Sequence, residues 1–128
     1  MKNTNVRDFT TPFNELLGIK VTAAHKDGVT VVCQFREDLR NAWGTLHGGV
    51  TATLIDVAAG VATMHVTGKR ATTVSLKLSY FLPLTEGKVT ARAKVLRAGS
   101  SLTVASVEVK DAKKRLAAFG MVTYKILG

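Results

Sequence analysis

From Gly49 to about Val66 the chain runs without proline and without polar alternation, rich in alanine, which predicts one helix of about 18 residues and roughly 27 Å. Everything after it alternates with period two. In "TTVSLKLSYFLP", Val74, Leu76, Leu78 and Tyr80 share one face and Ser75, Lys77 and Ser79 the other, the pattern of a half-exposed strand. "GKVTARAKVLRAG", "SLTVASVEVKDA" and "RLAAFGMVTYKIL" repeat that behaviour, punctuated by Glu86-Gly87, by Gly99-Ser100 and by the charged turn "DAKKR". A single long apolar helix among strands must hide all its sides. Antiparallel strands wrapped around it do so, giving an α+β layer architecture.

Upstream, "IKVTAAHKDGVTVVCQFRE" predicts two strands joined by a tight turn at Lys26, Asp27 and Gly28. "NVRDFTTPFNELLG" predicts a helical turn or two, stopped at Gly18. At 128 residues one core suffices, and residues 1–128 are expected to form a single domain. "MKNTNVRDFTTPF" lacks the apolar stretch of a secretory signal, so the expected compartment is the cytoplasm. The long helix has the length of a membrane span, but Asp56, its threonines and His65 make it a poor one. Cys33 is alone, which excludes an internal disulfide and predicts a small buried hydrophobe.

The formal charge is +9 and unevenly placed: residues 1–68 balance six cations with six anions, whereas residues 69–128 carry twelve Lys/Arg and three Asp/Glu. Such asymmetry fits an anionic partner or a solvated basic face. One tryptophan and no interleaving of aromatic with basic residues speak against nucleic acid.

Chemistry concentrates in "NAWGTLHGGVTATLIDVAAG", Asn41 to Gly60. Gly48 and Gly49 open the helix, where the first four N–H groups lack intrahelical acceptors. Without a Cβ, both let another molecule approach, and the helix dipole favours negative charge there. The pair therefore reads as an oxyanion hole, a phosphate seat, or a flexible loop-to-helix junction. Asp56 is a lone carboxylate in an apolar helix, which requires a partner or a task. Its same-face neighbours Ala52, Thr53, Ala59, Gly60 and Thr63 are small and uncharged. Asp56 lies eight residues beyond Gly48, roughly 12 Å along the axis. For both to act on one carbon they must come from two copies of the helix, antiparallel across a twofold axis, with the small-residue face as meeting surface.

The pattern N-x-x-G-x-x-H-G-G-x-x-x-x-L-x-D-x-A-x-G, filled by Asn41, Gly44, His47, Gly48, Gly49, Leu54, Asp56, Ala58 and Gly60, resembles the hotdog-fold acyl-CoA thioesterases of the phenylacetate-degradation (PaaI-like) type. The order of strands and helix matches from about Phe13 to Ile126. The resemblance implies a hotdog fold, an antiparallel sheet wrapped around one central helix, and hydrolysis of an aryl- or medium-chain acyl-CoA without a cofactor. It implies Asp56 as nucleophile or general base and the partner subunit's Gly48 amide as the group polarising the carbonyl. Asn41 falls at the position that helps hold the attacking water or the carbonyl, His47 at the one that orients the loop and reaches toward the sulfur. Thr73 falls at a Ser/Thr position that holds the water beside the carboxylate. Gly49, Arg97, Gly99, Ser100 and Ser101 are implied to bind substrate, the last four in a turn that contacts the nucleotide. Lys69, Arg70, Lys77 and Arg92 are weaker candidates for the phosphates. The expected assembly is an obligate dimer, and a homotetramer built as a dimer of dimers.

A thioester carbonyl is already electrophilic, so a carboxylate and an amide donor suffice chemically. His25, His47 and His65 are too dispersed for a zinc site. His25 is expected on a strand surface, and His65 at the helix end or lining the acyl pocket. A non-catalytic acyl-CoA sensor on the same fold would not need Asp56 and Asn41. The His, acid and proline pattern of the fold's hydratases is missing, with Pro12 and Pro83 the only prolines.

Overall fold

The computed structural model describes residues 5–128; the first four residues of the expected domain lie outside it. A 3₁₀ turn at Val6–Asp8 leads to α1, Pro12–Leu17. Local chemistry sets both ends of α1. Thr11 Oγ1 accepts the Asn14 N–H at 3.1 Å, Pro12 fills the first turn, and Gly18 closes it in the left-handed region at φ 75°. Strands β1 (Lys20–His25) and β2 (Gly28–Gln34) follow, joined across Lys26-Asp27 with His25 opposite Gly28. A 3₁₀ turn at Glu37–Leu39 and a loop lead to α2, Gly48–Thr67, and then come β3 (Ala71–Tyr80), β4 (Lys88–Ala98), β5 (Leu102–Lys110) and β6 (Leu116–Ile126).

The six strands make one antiparallel sheet in the order β1-β2-β4-β5-β6-β3. The sheet curls around α2, whose Leu54, Ile55, Ala58 and Ala62 are fully buried. They meet Val29, Val31 and Cys33 of β2, Val89, Ala91 and Ala93 of β4, and Ala105, Val107 and Val109 of β5 in one apolar core. Alanines on β4 and β5 let the helix lie close to the sheet, because a short side chain leaves room for the helix's own. The helix is long and apolar enough to cross a membrane by composition, but here it is the centre of the core. Its C-terminus is closed by Gly68 at φ 71°, whose N–H reaches the Met64 carbonyl.

Two expectations need correction. β3 is an edge strand, and apart from the half-buried Ala71 and Leu78 its residues are exposed; Val74 is 58% exposed, Leu76 38% and Tyr80 54%. A bulge between Thr73 and Ser75 interrupts its pairing with β6, so strict alternation fails at Val74. The small face of α2 is also divided, for Ala59 and Thr63 are buried under the chain's own sheet and only Ala52, Thr53, Asp56 and Gly60 stay half-buried.

Cys33 is fully buried as expected, its thiol donating to the Leu17 carbonyl at 3.4 Å, and burial pushes that thiol's pKa up. Gly28 fixes the β1–β2 hairpin against β4, since a Cβ there would lie on the Ala93 carbonyl. Gly28→Ala is therefore expected to destabilise by roughly 3 kcal/mol, the upper range for overpacking. A urea titration followed by circular dichroism measures this, and a midpoint equal to wild type would show that the hairpin moves aside freely.

Candidate active site

Asp56 sits two turns into α2, half-buried, on the wall of a groove of about 440 Å³. Three protein groups meet there. Thr73 Oγ1 donates to Asp56 Oδ1 at 2.8 Å. The Tyr124 hydroxyl, from the end of β6, lies 2.8 Å from the same Oδ1 and 2.6 Å from the Asp56 carbonyl oxygen. Thr73 and Tyr124 are register partners on β3 and β6, which is why both point inward at the same height. Burial raises the Tyr124 phenol far above its ordinary range; the Thr73 hydrogen bond opposes it, and the neighbouring Asp56 charge adds a smaller upward push. Asp56 Oδ2 makes no hydrogen bond among the described residues. The rest of the groove is largely apolar, with Phe9, Val57, Val61, Met64 and Leu127 on its walls.

The start of α2 lies elsewhere. Asn41, Thr45, Gly48 and Tyr80 line a separate groove of about 330 Å³, at the opposite end of β3. His47 is the N-cap, its Nδ1 accepting the Gly49 N–H at 2.8 Å. The expectation that both glycine amides are free is thus corrected, as the imidazole occupies the second. An imidazole that accepts at Nδ1 carries its proton on Nε2 when neutral, so His47 presents an N–H outward. The Gly48 N–H has no acceptor among the described residues. The Tyr80 hydroxyl donates to the Gly48 carbonyl at 2.7 Å, and a Cβ at residue 48 would come within 3.1 Å of that hydroxyl. Asn41 braces its own loop: Oδ1 accepts the Trp43 and Thr45 N–H groups at 2.9 and 3.1 Å, and Nδ2 donates to Thr45 Oγ1 at 2.8 Å. One Nδ2 hydrogen remains.

Asp56 and the Gly48 amide therefore open into different grooves of one chain, as an offset of eight residues along one helix requires. A family model for the thioesterase superfamily matches residues 43–118, a span that contains Gly48, Asp56 and Thr73. The chain belongs to the thioesterase superfamily. It is 34% identical over 103 residues to human acyl-coenzyme A thioesterase 13, covering 77% of this chain and 73% of that one. It is 29% identical over 132 residues to the medium/long-chain acyl-CoA thioesterase YigI of Escherichia coli, covering 90% and 85%. A mutant of the phenylacetic acid degradation protein PaaI from Thermus thermophilus superposes with a TM-score of 0.84 at 31% identity, over 91% of this chain and all of the other. The protein is thus a thioester hydrolase with the hotdog fold.

In this thioesterase the turn Gly99-Ser100-Ser101 links β4 to β5, with the Gly99 N–H on the Leu102 carbonyl at 2.9 Å. Ser101 ties it to the end of β6, its carbonyl accepting the Ile126 N–H at 2.8 Å and its hydroxyl the Lys125 ammonium at 3.1 Å. The next N–H, of Leu127, reaches the Arg70 carbonyl at 2.9 Å, and Arg70 lines the Asp56 groove. Arg70, Lys125 and the hairpin turn that Arg97 precedes in sequence thus gather at the sheet end where Asp56 lies. Arg92 does not join them. It pairs with Asp27 at 2.6 Å and pins the β1–β2 turn, holding the Asp27 carboxyl below its usual range by that hydrogen bond.

His25 is half-buried rather than superficial, with Nε2 2.8 Å from Thr30 Oγ1. His65 Nε2 lies 2.9 Å from the His25 carbonyl oxygen, so it ties the end of α2 to β1 and does not line the acyl groove. Tyr80 and Tyr124 are the site residues that the sequence reading missed. For Tyr124, which is buried, the available signal was an aromatic hydroxyl on the inward face of a strand, because a buried phenol needs a polar partner; the exposed Tyr80 carried no such signal.

Proposed function

We propose that the protein is an acyl-CoA thioesterase whose active site is shared between two subunits. The observation that carries it is the separation of Asp56 and the free Gly48 N–H into grooves at opposite ends of β3, an edge strand with exposed Val74, Leu76 and Tyr80. An exposed apolar edge is a template for pairing with a second chain. Antiparallel pairing of β3 with its copy, about a twofold near the middle of the strand, brings the Thr73 end of one subunit toward the Tyr80 end of the other. The Asp56 groove of one subunit then faces the Gly48 groove of the other, and the two helices run antiparallel alongside.

In that arrangement the thioester carbonyl oxygen accepts the partner's Gly48 N–H, strengthened by the positive end of α2. Asp56 acts from the other side, either attacking the carbonyl carbon to form a mixed anhydride that water then hydrolyses, or taking a proton from a water whose oxygen attacks that carbon. The C–S bond breaks, the leaving sulfur takes up a proton that the water supplied, and the products are the free acid and the coenzyme A thiol. The apolar walls of the 440 Å³ groove suit an aryl or medium-chain acyl group. The phosphates of coenzyme A meet the cationic sheet end formed by Arg97, Ser100, Ser101, Arg70 and Lys125. The chain acts as one domain, in the cytoplasm.

The test is a hydrolysis screen across aryl, medium-chain and long-chain acyl-CoA esters. Turnover of at least one class is expected, with KM rising as salt is added because partly exposed cations are screened. Arg97→Ala is expected to raise KM more than it lowers kcat. A KM indifferent to both salt and Arg97 would remove the basic end from substrate binding.

A further inference from the structure

The Asp56 carboxylate is not simply placed in a groove; it is held by one oxygen. Two hydroxyls converge on Oδ1, Thr73 Oγ1 from β3 and Tyr124 OH from β6, each at 2.8 Å. A carboxylate that keeps one oxygen in two hydrogen bonds loses its freedom to rotate and presents the other. The single Tyr124 O–H is shared between Oδ1 and the Asp56 main-chain oxygen, the nearer acceptor at 2.6 Å, so it registers the side chain against its own helix backbone.

An independent feature of the sequence belongs to the same arrangement. Gly60 lies one turn after Asp56 on the same face, and a Cβ at residue 60 would stand 2.6 Å from the Tyr124 hydroxyl and 3.0 Å from Cζ. Gly60 is helical, where glycine costs about 1 kcal/mol relative to alanine. It has no left-handed backbone angle to account for it. The close approach of Tyr124 accounts for it instead.

The geometry points to Tyr124 as a positioning residue for Asp56, seated over Gly60, which with Thr73 fixes Oδ1 and leaves Oδ2 as the oxygen that acts on substrate. This rests on the thioesterase reading above. Tyr124 is buried, with its hydroxyl on the Asp56 oxygens, and it acts through the orientation of the carboxylate. Burial keeps the phenol protonated, hence a donor, throughout the working range. The acyl groove walls Phe9, Val61 and Met64 are untouched by removing one hydroxyl, so substrate binding is separable from alignment.

The experiment is a mutant cycle on the full chain, using the best ester from the screen, with thermal melts to confirm folding. Tyr124→Phe keeps the ring and is expected to lower kcat about 10- to 100-fold with KM within about twofold, the signature of misalignment without lost binding. Gly60→Ala is expected to produce a loss of the same kind by displacing the hydroxyl. Together they are expected to fall no more than about twofold below Tyr124→Phe alone, because removing the hydroxyl removes most of the clash. Wild-type kcat in folded Tyr124→Phe, or a rise in KM alone, overturns the positioning role, while an inactive Asp56→Ala beside it leaves the thioesterase reading standing. Losses that simply multiply overturn Gly60 as the seat. Full activity in Asp56→Ala overturns the reading beneath the proposal, and the proposal with it.

Discussion

Asp56→Ala is expected to lower kcat by about 10²- to 10⁴-fold, the range for a positioned acid–base group, with the fold retained. The two halves of that expectation have separate causes. Oδ2 has no protein partner among the described residues and is not among the buried unpartnered atoms, so alanine removes the reacting oxygen and only the contacts at Oδ1 from the fold. Thr73 keeps solvent access, because it is an exposed edge-strand residue, and Tyr124 retains the Asp56 carbonyl as acceptor at 2.6 Å. Neither hydroxyl is stranded by the substitution. KM for the CoA ester is expected to change little, since the acyl walls and the basic end are untouched. Steady-state kinetics with a thiol-trapping reagent, beside a thermal melt, reads both halves at once. Wild-type turnover in the folded variant would remove the carboxylate from the chemistry and favour a protein that binds acyl-CoA without cleaving it.

Mixing two inactive variants is expected to restore activity. Asn41 lines the groove of the Gly48 amide and braces the loop leading to it, whereas Asp56 lines the other groove. In a dimer paired through β3 each site takes Asn41 and Gly48 from one chain and Asp56 from its partner. A heterodimer of Asn41→Ala with Asp56→Ala then has one site bearing both defects and one bearing neither. Random pairing makes about half of the dimers mixed, each with one intact site of two, so about a quarter of wild-type activity should return. Co-expression with two affinity tags isolates the mixed species, in which the recovery should double. A site contained within one chain would leave a defect in every site. Verified heterodimers with no recovery would therefore refute the shared site, whatever the fate of Asp56→Ala.

The elements that the sequence made legible are those whose causes are local. The helix expected from Gly49 to about Val66 forms from Gly48 to Thr67, because its stop at Gly68 is a left-handed residue that needs no tertiary partner. The Gly18 stop is local in the same sense, whereas Gly28 has no left-handed angle and is required by the close approach of Ala93 on β4. The separation of Asp56 from Gly48 also follows from sequence, since rise per residue is a property of the helix alone. Apolar alternation in "TTVSLKLSYFLP" was equally visible, but its partner was not. The pattern says that one face of a strand is apolar; whether that face is covered by this chain or by another depends on where the strand falls in the sheet.

That placement is a matter of non-local contacts. β3 pairs with β6, the last strand, and so lies at an edge, leaving Val74 and Leu76 open and putting the Asp56 and Gly48 grooves at its two ends. Tyr124 stands 68 residues from Asp56, and no local rule links an alternating strand near the C-terminus to one carboxylate in the central helix. The Gly49 amide reads as free from the helix's start alone, and only the folded loop turns the His47 ring onto it. Periodicity, caps and helical rise thus set the helix, the hairpins and the distance between the two functional groups. Strand order, which depends on which surfaces meet once the helix is wrapped, decided what holds Asp56 and which edge was left open.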